Sequence, residues 1–444
     1  MKLYKSLKRK FLNFPNSVIS SEKYEFTYRE FLSSAVKFSE RLSDYKCCAI
    51  MCEDEAMAAM AFVSCLASGV TAVVLSERYG KAYCRKIIDF VTPEAIISDK
   101  NGGLMVEETA LKGYDPGKAH PAAIMCTSGT TGTPKGVMLS DINILSNILG
   151  ICRYFKVTQN DKILISRPIY HCAVLTGEFL TAVFKGADIR FLSGKFNPIK
   201  IGREIEKSNI TVFASTPTVL GMLSRLKSDL FSLKKIVISG ECLDCETAKK
   251  IYEKFSDKDI YSVYGLTEAS PRVSYLPCKL FKSNFSSVGK PLKGIKIKLN
   301  DGVLFIKGKN VMLGYYKNPE LTKKVLKKGW LCSGDMAQID KKGFIKILGR
   351  KDNLIIKAGM NIYPAEIENR LKSDERVKEV LAYGFKSKTG STEIGIKISG
   401  DFSSLAEVKE MCLRLLPEFQ IPVKIDIIKS LPKNATGKIK RGKI

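Results

Sequence analysis

Eight short runs rich in β-branched and apolar residues punctuate residues 46 to 240: CCAIMC, VTAVVL, EAIIS, AAIMC, DKILIS, ADIRFL, ITVFAS and KKIVIS. Helical patterns lie between them, at 80–91, 141–151 and 200–208. A strand that is apolar on both faces must be covered on both faces. Runs of this kind alternating with helices therefore predict α/β architecture with a largely parallel, buried sheet. One stretch competes with that reading. Residues 56–75, AMAAMAFVSCLASGVTAVVL, carry no charge and are long enough to cross a bilayer. Their character changes at Gly69, from a small-residue helical pattern to a β-branched one. That predicts a helix, a glycine turn and a buried strand, with no integral membrane segment.

After about residue 285 the texture shifts to short strands and glycine turns. GIKIKLNDGVLFIKGKN carries a hairpin turn signal at Asp301–Gly302. From residue 350, GRKDNLIIKAGMNIYPAEIENRLK opens a separate small α/β unit. The expected organisation is a large N-terminal domain of α/β sheet layers over 1–349, with a β-rich subdomain at about 285–349. A compact hinge at 350–352 and a small, mobile C-terminal α/β domain at 353–444 follow.

The segment MCTSGTTGTPKGVML, 125–139, has the composition of a phosphate-binding loop. A Walker loop needs Gly-Lys-Ser/Thr opening a helix, whose N-terminus then holds the phosphates. Here Lys135 is followed by Gly136 and then by Val137-Met138-Leu139, a strand pattern. The loop is predicted to join two strands, so no helix dipole is available. An anion would be held by backbone N–H groups, by the hydroxyls of Thr127, Ser128, Thr130 and Thr131, and by the charge of Lys135.

This loop resembles the signature of the adenylate-forming (AMP-binding) superfamily, which includes acyl- and aryl-CoA synthetases, peptide-synthetase adenylation domains and beetle luciferases. Further motifs of that family follow in order: RPIYHCA, VISGECL, YGLTEAS, GVLFIKGKNVMLGYYKNPE, GWLCSGD, GRKDNLIIKAGMNIYPAEIE and LPKNATGKIKR. The chain departs from the pattern at Val303, Ser333 and Asp141, where many members have Glu, Thr and His; none of these removes a catalytic group.

The resemblance implies an acid–thiol ligase of the AMP-forming acyl-CoA synthetase type, with ATP, Mg²⁺ and coenzyme A as cofactors. A carboxylate attacks the α-phosphate of ATP, pyrophosphate leaves, and the acyl-adenylate passes to a thiol. In the resemblance, Gly129, Gly132 and their hydroxyl neighbours cradle the triphosphate, with Lys135 as a helper. Thr267 and Glu268 sit at the phosphates, and Glu268 holds the metal. Gly240 and Glu241 lie along the adenine; Tyr264 stacks on it beside Gly265. Asp335 binds the ribose hydroxyls, and Arg350 adds a ribose or phosphate contact. His171 lines the acid pocket. Lys438 bridges the attacking carboxylate and the α-phosphate, Asp352 is the hinge about which the small lid domain turns, and Gly359 lines the thiol tunnel.

A fatty or aryl acid is expected, because RPIYHCAVLTGEFL lacks the Asp with which amino-acid-activating members bind the α-ammonium; the alternative is amino-acid adenylation, with Glu178 the nearest carboxylate. Val174, Leu175 and 213–220 suggest apolar pocket walls, with core packing an equal account. Arg272, just after TEASP, is expected to be an exposed residue, with pairing to a second carboxylate or a polar tail of the acid as the alternative. The acceptor is coenzyme A or, alternatively, the phosphopantetheine of an acidic carrier protein. The net charge of +27 suits either, and its lysines are spread along the chain rather than gathered into a nucleic-acid-binding arm. Thirteen scattered cysteines and two histidines leave no evident zinc site and fit a reducing cytoplasmic location.

Overall fold

The computed structural model describes residues 1–100, 102–128, 134–194, 196–357, 360–387 and 391–432. Every one of the eight predicted runs contains a strand. They divide between two sheets. In the first, Lys162–Ile165, Asp188–Phe191, Val212–Ser215, Lys235–Ile238 and Asp259–Gly265 run parallel, and Arg272–Leu276 adds antiparallel to the last, with Lys290–Pro291 outside it. In the second, Cys47–Ile50, Thr71–Val74, Ala95–Lys100 and Ala123–Ser128 are parallel, and Pro134–Leu139 pairs antiparallel with Ala123–Ser128.

Side chains along the strands of the first sheet face two cores in alternation, as a pleated sheet requires. Ile163, Ile165, Val212, Ala214, Val237 and Val263 face a core shared with the second sheet, through a layer of helices. Their neighbours Leu164, Phe213, Ile236, Ile238 and Ile260 face a second core, made with the helices at 198–207, 217–223 and 245–254. The far side of the second sheet is covered by Lys81–Val91 and by Tyr316.

The uncharged stretch resolves as foreseen. Glu55–Ser68 is a helix capped by Asp54, whose side chain accepts from the N–H groups of Ala56 and Met57, and it ends at Gly69 with φ +79°. Burial on all sides, not lipid, explains its lack of charge. No described helix is long and apolar enough to cross a membrane. At the N-terminus, unassigned from sequence, the amphipathic helix Lys2–Asn13 buries Leu3, Leu7 and Phe11 in the shared core.

Lys296–Asn300 and Val303–Lys307 form the foreseen hairpin, with Asp301 and Gly302 both at positive φ. The strands Trp330–Ile339 and Ile345–Arg350 extend that sheet. Beyond them a single turn, Lys351–Asn353, leads into a unit with its own core, including Ile355, Ile367, Val380, Ile396 and Met411. Lys372 of this unit meets Asp244 of the large sheet's helical cover at 3.3 Å.

Candidate active site

The parallel strands of the first sheet deliver their motif residues at one edge. His171 follows the strand ending at Ile165, Gly240 and Glu241 follow the one ending at Ile238, and Tyr264 and Gly265 close the strand beside it. Ligands of open α/β sheets sit outside the carboxyl ends of such strands. Gly240 needs its glycine, with φ +90°. Glu241 accepts from the Thr218 hydroxyl at 2.7 Å, and His171 forms the N-cap of Cys172–Val174.

Three of the foreseen nucleotide residues are in direct contact. The Tyr264 hydroxyl donates to Asp335. Arg350 pairs with Asp335 in the strand register and puts its Nη1 3.1 Å from the Asp335 carboxylate. Ser333, the residue departing from the family's Thr, still does the positioning. Its hydroxyl donates to the Leu304 carbonyl at 2.7 Å and accepts from the Asp335 N–H at 3.0 Å. Burial, then the Asp335 charge, pushes the Tyr264 phenol well above its ordinary pKa. Desolvation pulls Arg350 down, but the charge and hydrogen bond of Asp335, with Glu268 and Tyr264, together hold it above its ordinary value.

A second assembly joins the glycine-rich hairpin to Glu268. Thr127 pairs with Lys135 across Ala123–Ser128 and Pro134–Leu139, so both flanks of the segment are strands, as read. Gly314–Tyr315 adds to the outer edge of Pro134–Leu139. The Tyr315 hydroxyl then donates to Glu268 Oε1 at 2.8 Å, and the Met312 N–H to the Glu268 carbonyl at 2.9 Å. Thr267 and Glu268 lie in the short 3-10 turn Thr267–Ala269. Tyr315 was missed in the sequence although it stands in a quoted motif, GYYKNPE; only the cross-sheet contact reveals its partner. Glu268 presents an anchored carboxylate, a donor that suits Mg²⁺, which takes one or two carboxylates and leaves its other positions to phosphate and water.

Gly265 is a point of close backbone approach. A Cβ there would stand 1.9 Å from the Pro271 carbonyl oxygen, so any side chain forces the 265–272 turn apart. Gly265→Ala is expected to lower stability by about 1–3 kcal/mol, read as a lower thermal unfolding midpoint.

One expectation changes in the structure, and one pair of alternatives is decided. Arg272 is not exposed: it is 4% accessible, because it starts a strand that pairs with the one ending at Gly265 and turns inward. Val174 and Leu175 are core residues, while the small cavity beside them is lined by Tyr154, Phe155, Gly177, Glu178 and Arg272 with strand residues behind. Glu178 is buried and bound at 2.6 Å to Arg167, neither residue's role having been legible beforehand. Burial raises its pKa, against the pull of Arg167. Asp352 is exposed in the turn Lys351–Asn353. Gly129, Thr130, Thr131, Gly132, Gly359 and Lys438 lie outside the described residues, as does the Ser128 side chain. Among the described residues, no group of three or more His, Cys, Asp or Glu forms a metal centre.

A layered α/β body with Tyr264, Asp335 and Arg350 clasped at its strand ends, and Glu268 tied to a glycine-rich hairpin, defines a nucleotide-binding enzyme of the adenylate-forming class. The AMP-binding enzyme family matches residues 7–316, and the chain belongs to it. It is 30% identical over 363 residues to a 2-succinylbenzoate–CoA ligase of Listeria innocua, covering 80% of this chain and 76% of that protein. It is 32% identical over 349 residues to the human mitochondrial medium-chain acyl-CoA ligase, covering 73% of this chain and 57% of that one. Its fold matches o-succinylbenzoate CoA synthetase from Bacillus subtilis, solved with its acyl-adenylate intermediate, at a TM-score of 0.84 and 25% identity. That match covers 98% of this chain and 96% of the other.

Proposed function

We propose that this protein activates a fatty or aryl carboxylic acid. The carboxylate oxygen attacks the α-phosphate of ATP, the bond to pyrophosphate breaks, and an acyl-adenylate forms. Attack by the thiol sulfur of coenzyme A on the acyl carbon then releases AMP and yields the thioester. The observation carrying this reading is the convergence of Tyr264, Asp335 and Arg350 with the Glu268–Tyr315 pair, in a chain of the AMP-binding enzyme family.

Both reactants are anions, so the chain's contribution is positioning and charge neutralisation. Tyr264 offers a ring face to adenine, steadied by its bond to Asp335. The Asp335 carboxylate accepts from the ribose hydroxyls, with Arg350 orienting it. Gly240 and Glu241 border the base, while Thr127, Ser128, Lys135 and the 129–132 loop hold the phosphates. Glu268, fixed by Tyr315, is the carboxylate for Mg²⁺; the metal neutralises phosphate charge when bound. His171 borders the acid. The 350–352 turn serves as hinge for the 353–444 unit, which carries Gly359 and Lys438.

Amino acids are disfavoured as substrates, since Glu178 is already neutralised by Arg167 and is not free for an α-ammonium. Acid-dependent pyrophosphate exchange, repeated with coenzyme A and with an acidic carrier protein as acceptor, tests the reading. Thioester formation on coenzyme A is expected. Exchange confined to amino acids refutes the substrate class, and transfer confined to the carrier protein refutes the acceptor. Asp335→Asn keeps the shape but removes the charge. It is expected to raise the KM for ATP roughly 10- to 100-fold, the worth of a hydrogen bond to a charged group.

A further inference from the structure

The cavity between Tyr154, Gly177 and Arg272 holds a charge that its own surroundings do not balance. Glu178 is its sole acidic lining residue among those described, and Arg167 neutralises it at 2.6 Å. Arg272 bonds Tyr154 and attracts the same Glu178, but that one carboxylate is already paired, so one positive charge stays in surplus. Arg272 is 4% accessible, and among the described residues no carboxylate lies within ion-pairing distance of it. Its Nε is buried without a partner, as is the second oxygen of Glu178. A buried, unbalanced guanidinium is costly, and the cost is relieved when an anion arrives.

The backbone holds this residue in place. Asn147, itself 1% accessible, accepts from the Arg272 N–H at 3.1 Å and donates to its carbonyl at 2.7 Å. Room for the guanidinium comes from a π-helical stretch, Leu175–Leu180, a distortion that recurs at functional sites. At its second turn position Gly177 has no side chain, and a Cβ there would lie 2.9 Å from the Arg272 guanidinium. The cavity is also placed correctly for an acid. Arg272 sits opposite Gly265 in the strand register, and the charges of both Glu268 and Arg272 reach Cys172, next to His171. An acid whose reacting carboxylate lies by Glu268 would direct its tail towards Arg272, at the other end of the 268–272 turn.

We propose that Arg272 is a specificity-determining residue that binds a second anionic group on the acid, so that the preferred substrates are compact dicarboxylates rather than plain fatty acids. The inference rests on the acid-activating function above. Compactness follows from the walls. Tyr154 and Phe155 close one side, and the free space in this conformation is about that of one water molecule. A long alkyl tail would have to lie against an unpaired cation, whereas a terminal carboxylate forms a bidentate pair with it.

The test is pyrophosphate exchange with matched pairs of acids, each a dicarboxylate and its monomethyl ester of the same length, in aryl and short alkyl series. The wild-type protein is expected to favour the dicarboxylate by kcat/KM on the order of 10²-fold or more, as sites built around a polar partner do. Arg272→Met is expected to cut that ratio by a similar factor, while ATP affinity and the unfolding midpoint stay close to wild type; Arg272→Lys retains part of the preference. A wild-type preference for the monoesters, or a ratio unmoved by Arg272→Met in a folded protein, overturns the inference and leaves acid activation standing. Absence of exchange with every acid, despite intact ATP binding, overturns both. The wild-type ratio decides the matter even if the methionine variant does not fold.

Discussion

Glu268→Gln is expected to lower kcat/KM for pyrophosphate exchange on the order of 10²–10³-fold, the scale of losing one preorganised charge partner at a reacting centre. The substitution isolates charge from shape. Glutamine can still accept from the Tyr315 hydroxyl, now 2.8 Å from the carboxylate, and the backbone bond from Met312 to residue 268 is untouched. The turn Thr267–Ala269 should therefore survive, with an unchanged unfolding midpoint. The amide supplies no negative charge for Mg²⁺, so the loss should be steepest at low Mg²⁺ and shrink as the metal is raised. Tyr315→Phe is the companion measurement. It removes only the hydroxyl that holds the carboxylate, and a loss of roughly tenfold, about one hydrogen bond to a charged group, is expected. Exchange by Glu268→Gln within a few-fold of wild type at limiting Mg²⁺ would remove the metal role from this residue.

The second large effect separates the two half-reactions. Lys438→Ala is expected to reduce acyl-adenylate formation by about 10²–10³-fold, yet to leave thioester formation from a supplied acyl-adenylate within about tenfold of wild type. In the first step a lysine bridging the attacking carboxylate and the α-phosphate offsets repulsion between two anions, a contribution confined to that transition state. In the second step the bond to the α-phosphate is already made, AMP departs as the leaving group, and the nucleophile is a thiol. If the 353–444 unit turns about Asp352 between the steps, Lys438 is no longer at the reacting atoms. Single-turnover measurement of each half-reaction reads the split directly. Equal loss in both would rule out the two-state assignment and leave Lys438 a general contributor to nucleotide binding.

How far the sequence alone reaches can be judged at particular residues. The eight apolar runs located the strands because a buried parallel strand leaves a local mark, β-branched residues bounded by turn formers. Gly69 and Asp301–Gly302 were readable for the same reason: a backbone conformation with positive φ restricts the residue type at that position. Ser333 shows a tolerable departure, since its hydroxyl makes both positioning bonds without the extra methyl of threonine.

Arg272 was misjudged because nothing local distinguishes a buried arginine from a solvated one. Its burial follows from the pairing of its strand with the one ending at Gly265, from the Asn147 clasp contributed 125 residues earlier, and from the absent side chain at Gly177. Tyr315 was overlooked for a like reason: its value lies in reaching Glu268, 47 positions away, over the edge of the second sheet. Arg167 and Glu178 looked like two ordinary charges until the fold enclosed them together.

The sequence by itself determined the class of fold, the kind of phosphate loop and the family, because these are written in residue type and spacing over short windows. Tertiary structure alone decided which charges are neutralised and which remain in surplus. Pairing and desolvation depend on what distant segments bring within a few ångströms, and Arg272, left without a counter-ion inside the cavity, is the consequence that bears most directly on which acid this protein takes.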